Sequence, residues 1–296
     1  MSENNLIQTI TEDIFLEKDV DVAIMRLDKL HPIVSGNKLF KLKYYLDEVR
    51  LRNNTGIVTL GGSHSNHLVA AAYASKEREI DSIGIVRGER PNQLSKSLED
   101  CIEYGMQLEF ISRNAFDELD INELEKKYPD KTIIPQGGYG IKGAIGAKEI
   151  LSIEDTTSYD YILAASGTGT MAAGLINEAG RNQKIILVSA LKNNFSVKEE
   201  ITALIDESSL EKNNFQLLFD FHQGGYAKKN KELLDTMNLF YRTHKIPTDF
   251  VYTGKLVAAF YELVKADFFS KKSRILLIHS GGLQGNRSLN EGDLIF

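Results

Sequence analysis

Short apolar runs alternate with stretches of helical periodicity along most of the chain. The runs are rich in isoleucine, leucine and valine, and glycines bound several of them, which is typical of strands buried on both faces of a parallel sheet. This pattern predicts strands at 56–60, 82–86, 107–111, 132–135, 159–164, 184–189, 215–221 and 274–278. It predicts helices at 38–53, 66–79, 93–104, 121–127, 143–150, 171–178, 197–206, 228–244 and 254–269.

The alternation of these elements predicts an α/β fold. Helices placed between strands imply right-handed crossovers and parallel sheets that are covered on both faces. The elements form two series, one ending near 135 and the other beginning near 143, and no linker rich in Pro, Gly or Ser separates them. We therefore expect two α/β domains in close contact, with a cleft between them.

Composition narrows the classes of function. The 296 residues are 42% hydrophobic and 26% charged, as in a globular protein, and the net charge of −6 argues against a general nucleic-acid or anionic-membrane surface. Any anion must then be held locally. Cys101 is the single cysteine, which excludes an intrachain disulfide and a cysteine-built metal site. With no basic-then-apolar leader and no membrane-length apolar run, we expect a cytoplasmic protein.

A Gly-Asn pair places Lys38 at the junction of a loop and a predicted helix. A lysine whose pKa is lowered by partial burial or by a neighbouring cation is a nucleophile that forms an imine with an aldehyde or ketone. Lys41 and Lys43 supply positive charge nearby. The competing interpretation is the solvated face of an amphipathic helix, and for Lys41 and Lys43 we retain helix surface or structural charge.

Glycines and hydroxyl residues follow the first predicted strand at 61–67. Ser65 and Asn66 offer a hydroxyl and an amide near a helix N-terminus, and a plain N-cap is the competing interpretation. Zinc binding by His64 and His67 lacks a third ligand. Serine stands where the closing glycine of a hydrolase nucleophile elbow belongs, which argues against that class.

A second loop of small residues joins a predicted strand to a helix, and it consists of Ser166, Gly167, Thr168, Gly169 and Thr170. Free backbone N–H groups and the helix dipole make such a loop an anion cup, and phosphate is the expected guest. With Ala172 the loop also fits G-x-G-x-x-A, the turn of a nicotinamide-dependent oxidoreductase. That alternative expects an acid at the end of the next strand, where the chain reads 188–192 VSALK, without an acid.

The motifs taken together resemble one enzyme family. They are 35–38 SGNK, 61–67 GGSHSNH, 166–169 SGTG, 252–255 YTGK and 279–282 HSGG. In this order they resemble the pyridoxal-phosphate (PLP) dependent 1-aminocyclopropane-1-carboxylate deaminases and D-cysteine desulfhydrases. The resemblance implies a fold type II PLP enzyme, similar to tryptophan synthase β, with two parallel-sheet three-layer domains and the active site between them. It implies a large PLP-binding domain at 1–50 plus 140–296, a small α/β domain at 51–139, a small amino-acid substrate and a homodimer.

The resemblance also implies roles for catalytic residues. Lys38 would hold the cofactor aldehyde as an internal imine and later move protons at Cα. Ser65 would touch the substrate or accept the Cα proton. Tyr252 and Tyr226 would be active-site tyrosines that act on the substrate.

Binding roles follow from the same resemblance. Asn66 would hydrogen-bond the ring hydroxyl oxygen of the cofactor, and Ser166, Gly167, Thr168, Gly169 and Thr170 would cradle its phosphate. Thr253 or Ser280 would meet the pyridine nitrogen. Ser65, Asn66 and His67 would bind the substrate, and no metal is expected.

Thr253 bears most directly on the choice of substrate. The cyclopropane-opening enzymes of the family carry an acid at this position, and the D-cysteine desulfhydrases carry threonine. A hydroxyl at Thr253 or Ser280 cannot keep the pyridine nitrogen protonated as a carboxylate would, so the ring is a poorer electron sink. This favours α,β-elimination of a good leaving group from D-cysteine or a similar amino acid, giving a keto acid and ammonia.

Alternatives and departures limit this interpretation. The first alternative is 1-aminocyclopropane-1-carboxylate deaminase, and the others are the oxidoreductase and a non-catalytic amino-acid-binding relative. Phe40 stands where many family members have arginine, and Met171 stands where an extra glycine is common in the phosphate loop. We expect the cofactor to bind despite both changes and the substrate carboxylate pocket to differ.

Overall fold

The computed structural model describes residues 5–212 and 214–296. The strands, in chain order, are β1 (Ile7–Ile10), β2 (Val20–Arg26), β3 (Gly56–Gly61), β4 (Asp81–Arg87), β5 (Gln107–Ile111), β6 (Lys131–Ile134), β7 (Tyr161–Ser166), β8 (Lys184–Ser189), β9 (Phe215–Leu218) and β10 (Ser273–His279). Short 3-10 helices span Leu27–Lys29, Gln136–Gly138, Glu149–Ser152 and Leu283–Ser288. Within these described ranges, no helix is both long enough and apolar enough to cross a membrane.

The α-helices lie between and after the strands. They are α1 (Asp13–Glu17), α2 (Asn37–Leu51), α3 (Asn66–Glu77), α4 (Lys96–Glu103), α5 (Arg113–Asp117), α6 (Ile121–Lys127), α7 (Ile141–Lys148), α8 (Thr170–Glu178), α9 (Val197–Thr202), α10 (Glu207–Lys212), α11 (Lys231–His244) and α12 (Thr253–Lys265). Single helices join β3 to β4, β4 to β5 and β7 to β8, which are neighbouring parallel strands, as a βαβ arrangement requires.

The strands form two sheets. The larger sheet has the order β1-β2-β10-β7-β8-β9, and the smaller has the order β5-β4-β3-β6. All the paired strands are parallel except β1, which runs antiparallel to β2 at the edge of the larger sheet. The predicted α/β class is confirmed. The smaller sheet lies in 56–134, whereas the predicted domain limits at 51–139 remain a prediction.

Both faces of the larger sheet are buried, which explains the continuous apolar runs. Ile275 and Leu277 of β10 pack in one cluster with residues of α12, whereas Leu276 and Ile278 pack in another with residues of α7 and α8. Successive side chains of a strand point to opposite faces, so a strand covered twice has no polar positions to alternate with. Cys101 lies in the core beside the smaller sheet.

The boundaries differ from the prediction at several elements. No strand was predicted before residue 56, yet β1 and β2 precede it. The strand predicted at 215–221 ends at Leu218, and the helix predicted at 197–206 is the shorter α9, followed by α10. Helix α4 starts at Lys96 instead of 93 because Ser95 caps it, its side chain accepting a hydrogen bond from Leu98 N.

Helix α2 is held closely against α7 by a glycine. A Cβ at Gly146 would lie 2.0 Å from the carbonyl oxygen of Phe40. Only a residue without a side chain permits this approach. Phe40 itself belongs to the core, so the residue that departs from the family pattern packs away from solvent. Packing against α7 therefore fixes α2, whose first turn carries Lys38.

Candidate active site

A cavity of about 250 Å³ lies where loops from both sheets meet. It falls just below the ~300–1,000 Å³ of typical small-molecule sites, which suits a small ligand. The predicted site residues that line it are Lys38, Ser65, Asn66, His67, Ser166, Gly167, Thr168, Gly169, Tyr226, Tyr252 and Ser280. The other two, Thr170 and Thr253, have fully buried side chains outside the lining. The structure thus brings eleven of the thirteen together, and their individual roles remain proposals.

Lys38 enters the cavity from the first turn of α2. Gly36, with φ of 65°, turns the chain so that Asn37 N donates to Ser280 O over 3.1 Å. The Lys38 ammonium in turn donates to Asn37 Oδ1 at 2.6 Å. Burial lowers the pKa of Lys38 to about 8, although the charge of Asp249 opposes the shift. The predicted nucleophile is therefore an amine that loses its proton near neutral pH.

Lys41 is a cavity residue, so its interpretation as helix surface is wrong. Its side chain is buried, lines the cavity and donates from Nζ to Gly137 O at 3.0 Å. Burial, followed by the charge of Lys38, holds the pKa of Lys41 well below its ordinary value. Lys43 does lie on the surface, where it pairs with Glu149. Lys41 is the second basic group of the site.

Ser65 caps α3 and also lines the cavity. Its Oγ accepts a hydrogen bond from Leu68 N at 3.2 Å, so the N-cap interpretation is confirmed. The hydroxyl hydrogen remains free to point to a ligand. Asn66 Nδ2 donates to Gly282 O at 3.4 Å, and Asn66 Oδ1 is buried without a partner in the described part of the chain. Each residue therefore keeps hydrogen-bonding capacity for a guest.

Two buried hydrogen bonds fix the tautomer of His67. Thr59 Oγ1 donates to Ile134 O at 2.9 Å, so its single hydrogen is used and it accepts from His67 Nε2 at 2.8 Å. Nδ1 is then an unprotonated acceptor, and it has no partner among the described residues. Burial, then the charges of Lys38 and Lys41, keep the pKa of His67 well below its ordinary value. Within 5–212 and 214–296 no three side chains are grouped to hold a metal.

The 166–170 loop lies at the N-terminus of α8, and its role as an anion cup stays a prediction. Gly169, with φ of 75°, caps the N-terminus of α8, and Asn194 Nδ2 holds the loop by donating to Gly167 O at 3.2 Å. Thr168 Oγ1 and Thr170 Oγ1 are 3.2 Å apart. Gly137, whose carbonyl accepts from Lys41, lies against Thr168, since a Cβ there would be 3.0 Å from Thr168 Cγ2. The cup is therefore flanked by a lysine as well as by backbone dipoles.

Asp249 is a buried carboxylate that the motifs did not reveal. Its Oδ1 accepts from the backbone N–H groups of Val251 and Tyr252 at 3.0 and 2.8 Å, and its Oδ2 accepts from Thr253 N at 2.9 Å. These bonds cap α12 and fix Tyr252 at the cavity. An aspartate three residues before Tyr252, just ahead of a helical pattern, was the available sequence signal.

The two tyrosines stand together at one side of the cavity. Their ring centroids are 6.5 Å apart in an edge arrangement. Burial, then Tyr226 and Asp249, raise the pKa of Tyr252 well above its ordinary value. Tyr252 therefore stays protonated at neutral pH and can donate a hydrogen bond, but it does not act as a base.

The residues present fit a phosphorylated aldehyde cofactor. An amine of lowered pKa, an anion cup with a flanking lysine, and an asparagine line one cavity. The buried, unpartnered atoms Asn66 Oδ1, His67 Nδ1 and Ser166 Oγ belong to residues of its lining. Buried polar atoms without partners are costly unless a ligand or water satisfies them. The cavity thus offers groups for each end of such a cofactor.

The chain belongs to the pyridoxal-phosphate dependent enzyme family, whose model matches residues 15–281. The fold is therefore fold type II, and the cofactor is PLP. This assigns the glycine-rich 166–170 turn to a PLP enzyme instead of a nicotinamide-dependent oxidoreductase. The coarse activity is that of a PLP-dependent lyase or deaminase similar to 1-aminocyclopropane-1-carboxylate deaminase.

Individual relatives agree with this assignment. A putative 1-aminocyclopropane-1-carboxylate deaminase of Pyrococcus furiosus is 28% identical over 93% of this chain and 88% of its own length. The 1-aminocyclopropane-1-carboxylate deaminase of Cyberlindnera saturnus is 26% identical over 83% of this chain and 81% of its own. A crystal structure described as an ACC deaminase homologue has a TM-score of 0.77 and 25% identity, covering 95% of this chain and 90% of that chain. Serine racemase from Dictyostelium discoideum, at 18% identity and a TM-score of 0.64 over 93% of both chains, shares the fold.

Proposed function

We propose that this enzyme catalyses α,β-elimination from a small β-substituted D-amino acid, with D-cysteine as the first candidate. The observation that carries the proposal is the chemistry of the cavity wall. Among the described residues that line it there is no carboxylate, and Ser280 presents a hydroxyl where the family resemblance places the pyridine nitrogen. The ring nitrogen is therefore proposed to meet a hydroxyl instead of a carboxylate, which favours a good leaving group such as thiolate.

PLP, when bound, supplies an electron sink for negative charge at the substrate Cα. Lys38 is the proposed attachment point for the cofactor aldehyde and the group that accepts the Cα proton. Its pKa of about 8 makes the neutral amine accessible near neutral pH. Asn37 Oδ1, at 2.6 Å, holds the Lys38 ammonium in place once the proton is on it.

The other cavity residues have proposed roles that follow from their hydrogen bonds. Ser65 is a donor toward the substrate, because its Oγ already accepts from Leu68 N. Tyr252, held protonated, donates a hydrogen bond to the substrate or to the departing sulfur. Lys41 and the 166–170 loop bind the phosphate of the cofactor. Thr170 and Thr253 support these loops from behind the cavity wall.

The overall reaction consumes one water per D-cysteine. The Cα–H and Cβ–S bonds break, the sulfur leaves as hydrogen sulfide, and hydrolysis of the nitrogen-bearing carbon gives pyruvate and ammonia. The small cavity limits the substrate to a short side chain. We further propose that the enzyme is cytoplasmic and a homodimer.

The second candidate, 1-aminocyclopropane-1-carboxylate deaminase, is favoured by the names of the similar proteins. One assay separates the two. The purified PLP-loaded enzyme is given D-cysteine, L-cysteine and 1-aminocyclopropane-1-carboxylate in turn, and ammonia, keto acid and sulfide are measured. We expect the highest kcat/KM with D-cysteine. The Lys38→Ala variant should turn over none of the three substrates.

Two results would overturn the proposal. Faster ammonia release from the cyclopropane substrate would favour the deaminase, and a preference for L-cysteine would refute the assignment of the D enantiomer. Borohydride reduction followed by peptide mapping tests the attachment point, because a pyridoxyl adduct on any lysine other than Lys38 contradicts it.

A further inference from the structure

Lys255 is a fully buried lysine in the first turn of α12. Its Nζ donates to two backbone carbonyls, Gly225 O at 2.6 Å and Ala190 O at 3.0 Å. Its side chain does not line the cavity. A buried ammonium is costly unless its hydrogens are used, so these two contacts hold Lys255 in one position.

Both acceptor carbonyls belong to residues that directly precede cavity residues. Ala190 precedes Leu191, at the end of β8, and Gly225 precedes Tyr226. Lys255 itself follows Tyr252 by three residues on the same helix start. One ammonium therefore joins three separate segments, each of which contributes a side chain to the cavity.

The turn at 222–228 that carries Tyr226 depends on this contact. Gln223, Gly224, Gly225 and Ala227 all have positive φ. The hydrogen bonds within the turn are local, from Gly225 N to His222 O and from Lys228 N to Gly225 O. Among the hydrogen bonds of the described residues, the one from Lys255 ties this turn to the body of the larger sheet. Without it, the turn keeps its local bonds and the hydrogen bond from Asn230 Nδ2 to Gln223 Oε1 at 2.8 Å, but it loses its link to α12 and to the end of β8.

The electrostatics are consistent with a mainly protonated Lys255 ammonium at pH 7. Burial lowers the pKa of Lys255 to about 8, and the charge of Asp249 opposes the shift. Lys255 is thus mainly protonated at pH 7 and has hydrogens for both carbonyls. Asp249 also caps the helix that carries Lys255, so the countercharge and the ammonium are positioned by the same helix start.

We propose that Lys255 is a positioning residue for Tyr226, acting through the carbonyl of Gly225 and not by contact with substrate or cofactor. The proposal rests on the proposed function, together with the active-site role that the family resemblance implies for Tyr226, which lines the cavity. Tyr226 is 50% exposed, so packing alone holds it weakly. The hydrogen bond from Lys255 to Gly225 O then sets its position.

The first test is local proteolysis, which requires no substrate. Lys228 and Lys229 are exposed trypsin sites in and beside the Tyr226 turn, and Lys271 and Lys272 are exposed sites elsewhere. In the PLP-loaded Lys255→Met variant we expect cleavage after Lys228 or Lys229 to become about tenfold faster, with cleavage after Lys271 or Lys272 unchanged. Unchanged cleavage at 228–229 would overturn the proposal.

A second replacement, with a shorter polar side chain, tests whether the fold as a whole has been destabilised. Lys255→Gln keeps neutral N–H donors, and we expect it to fall between the wild type and Lys255→Met. If all four trypsin sites became faster in both variants, Lys255 would be a stability residue and the proposal would fail. The proteolysis experiment remains decisive even if neither D-cysteine nor the cyclopropane substrate is turned over. The proposed function and the proposed role of Lys255 can therefore fail separately.

The second test is kinetic coupling, with whichever amino acid proves to be a substrate. We expect Lys255→Met to lower kcat at least tenfold while the borohydride adduct stays on Lys38. In a Tyr226→Phe background the same replacement should lower kcat less than threefold, because Lys255 is proposed to affect kcat through Tyr226. The matched control, Lys228→Met, removes an exposed lysine of the same turn and should leave kcat within twofold. Equal losses in both backgrounds would contradict the proposal.

Discussion

Replacement of Gly36 by alanine tests the contact that brings the Lys38 segment against the end of β10. Gly36 has φ of 65° and ψ of −137°, a conformation that residues with a side chain rarely adopt. An added Cβ would lie 1.9 Å from Ser280 O and 2.6 Å from Gly281 N. Both obstacles are backbone atoms, so no side-chain rotation relieves the clash.

The expected loss of unfolding free energy in Gly36→Ala has two parts. Backbone strain at such a position costs about 1–3 kcal/mol. Overpacking costs another ~1–3 kcal/mol. Gly36→Ala should therefore lower the free energy of unfolding by about 2–6 kcal/mol, measured by urea denaturation of the apoprotein. Moving Ser280 away also breaks the 3.1 Å hydrogen bond from Asn37 N. We accordingly expect the rate of cofactor capture by Lys38 to fall at least tenfold.

Gly105 supplies the matched control. Its φ of 88° is also positive, but a Cβ there meets no atom within 4 Å. Gly105→Ala should cost only the strain, about 1–2 kcal/mol, and should leave cofactor capture unchanged. If the two variants lost the same free energy and both captured PLP normally, the argument that Gly36 is required for close approach to Ser280 would be refuted.

Three further replacements test the electrostatics and hydrogen bonds of the site. Asp249→Asn removes the charge that raises the pKa of Lys38, so the midpoint of the pH profile for PLP capture should move below about 8; an unchanged or higher midpoint contradicts this. Thr59→Val leaves the His67 Nε2 hydrogen and Ile134 O without partners and should cost about 1–3 kcal/mol in urea unfolding. Lys41→Met should raise the Kd for PLP at least tenfold without moving the adduct from Lys38. The exposed Lys43→Met serves as its control, and equal effects would refute the phosphate role.

The apolar runs predicted the central strands well because burial on both faces leaves a strong signal. The same argument explains why β1 and β2 were missed. Strand β1 is a four-residue edge strand that is only partly buried, and Asp21 interrupts the apolar run of β2 with an exposed position. Short edge strands and interrupted apolar runs resemble loops in a single sequence.

The residues of the candidate site also divide into those that the sequence predicted and those that it did not. Loops after parallel strands meet at one sheet edge, so the motifs there predicted most of the cavity lining. Lys41 carried a usable signal, because it lies three residues after Lys38 and shares its helix face, whereas Lys43 lies five residues on. Lys255 contacts backbone carbonyls of distant segments, and side-chain type alone does not reveal such partners. Asp249 bonds to residues only two to four positions on, so its place before a helical pattern was the available signal.

The lowered pKa of Lys38 also bears on how the protein acquires its cofactor correctly. With a pKa of about 8, roughly one Lys38 amine in ten is neutral at pH 7, against roughly one in 3,000 for an ordinary lysine. Surface lysines compete for the same aldehyde, yet each has a reactive fraction roughly 300-fold smaller. The lowered pKa therefore favours Lys38 over the surface lysines as the proposed attachment point, whereas Lys41, whose pKa is also lowered, differs from Lys38 in its position in the cavity.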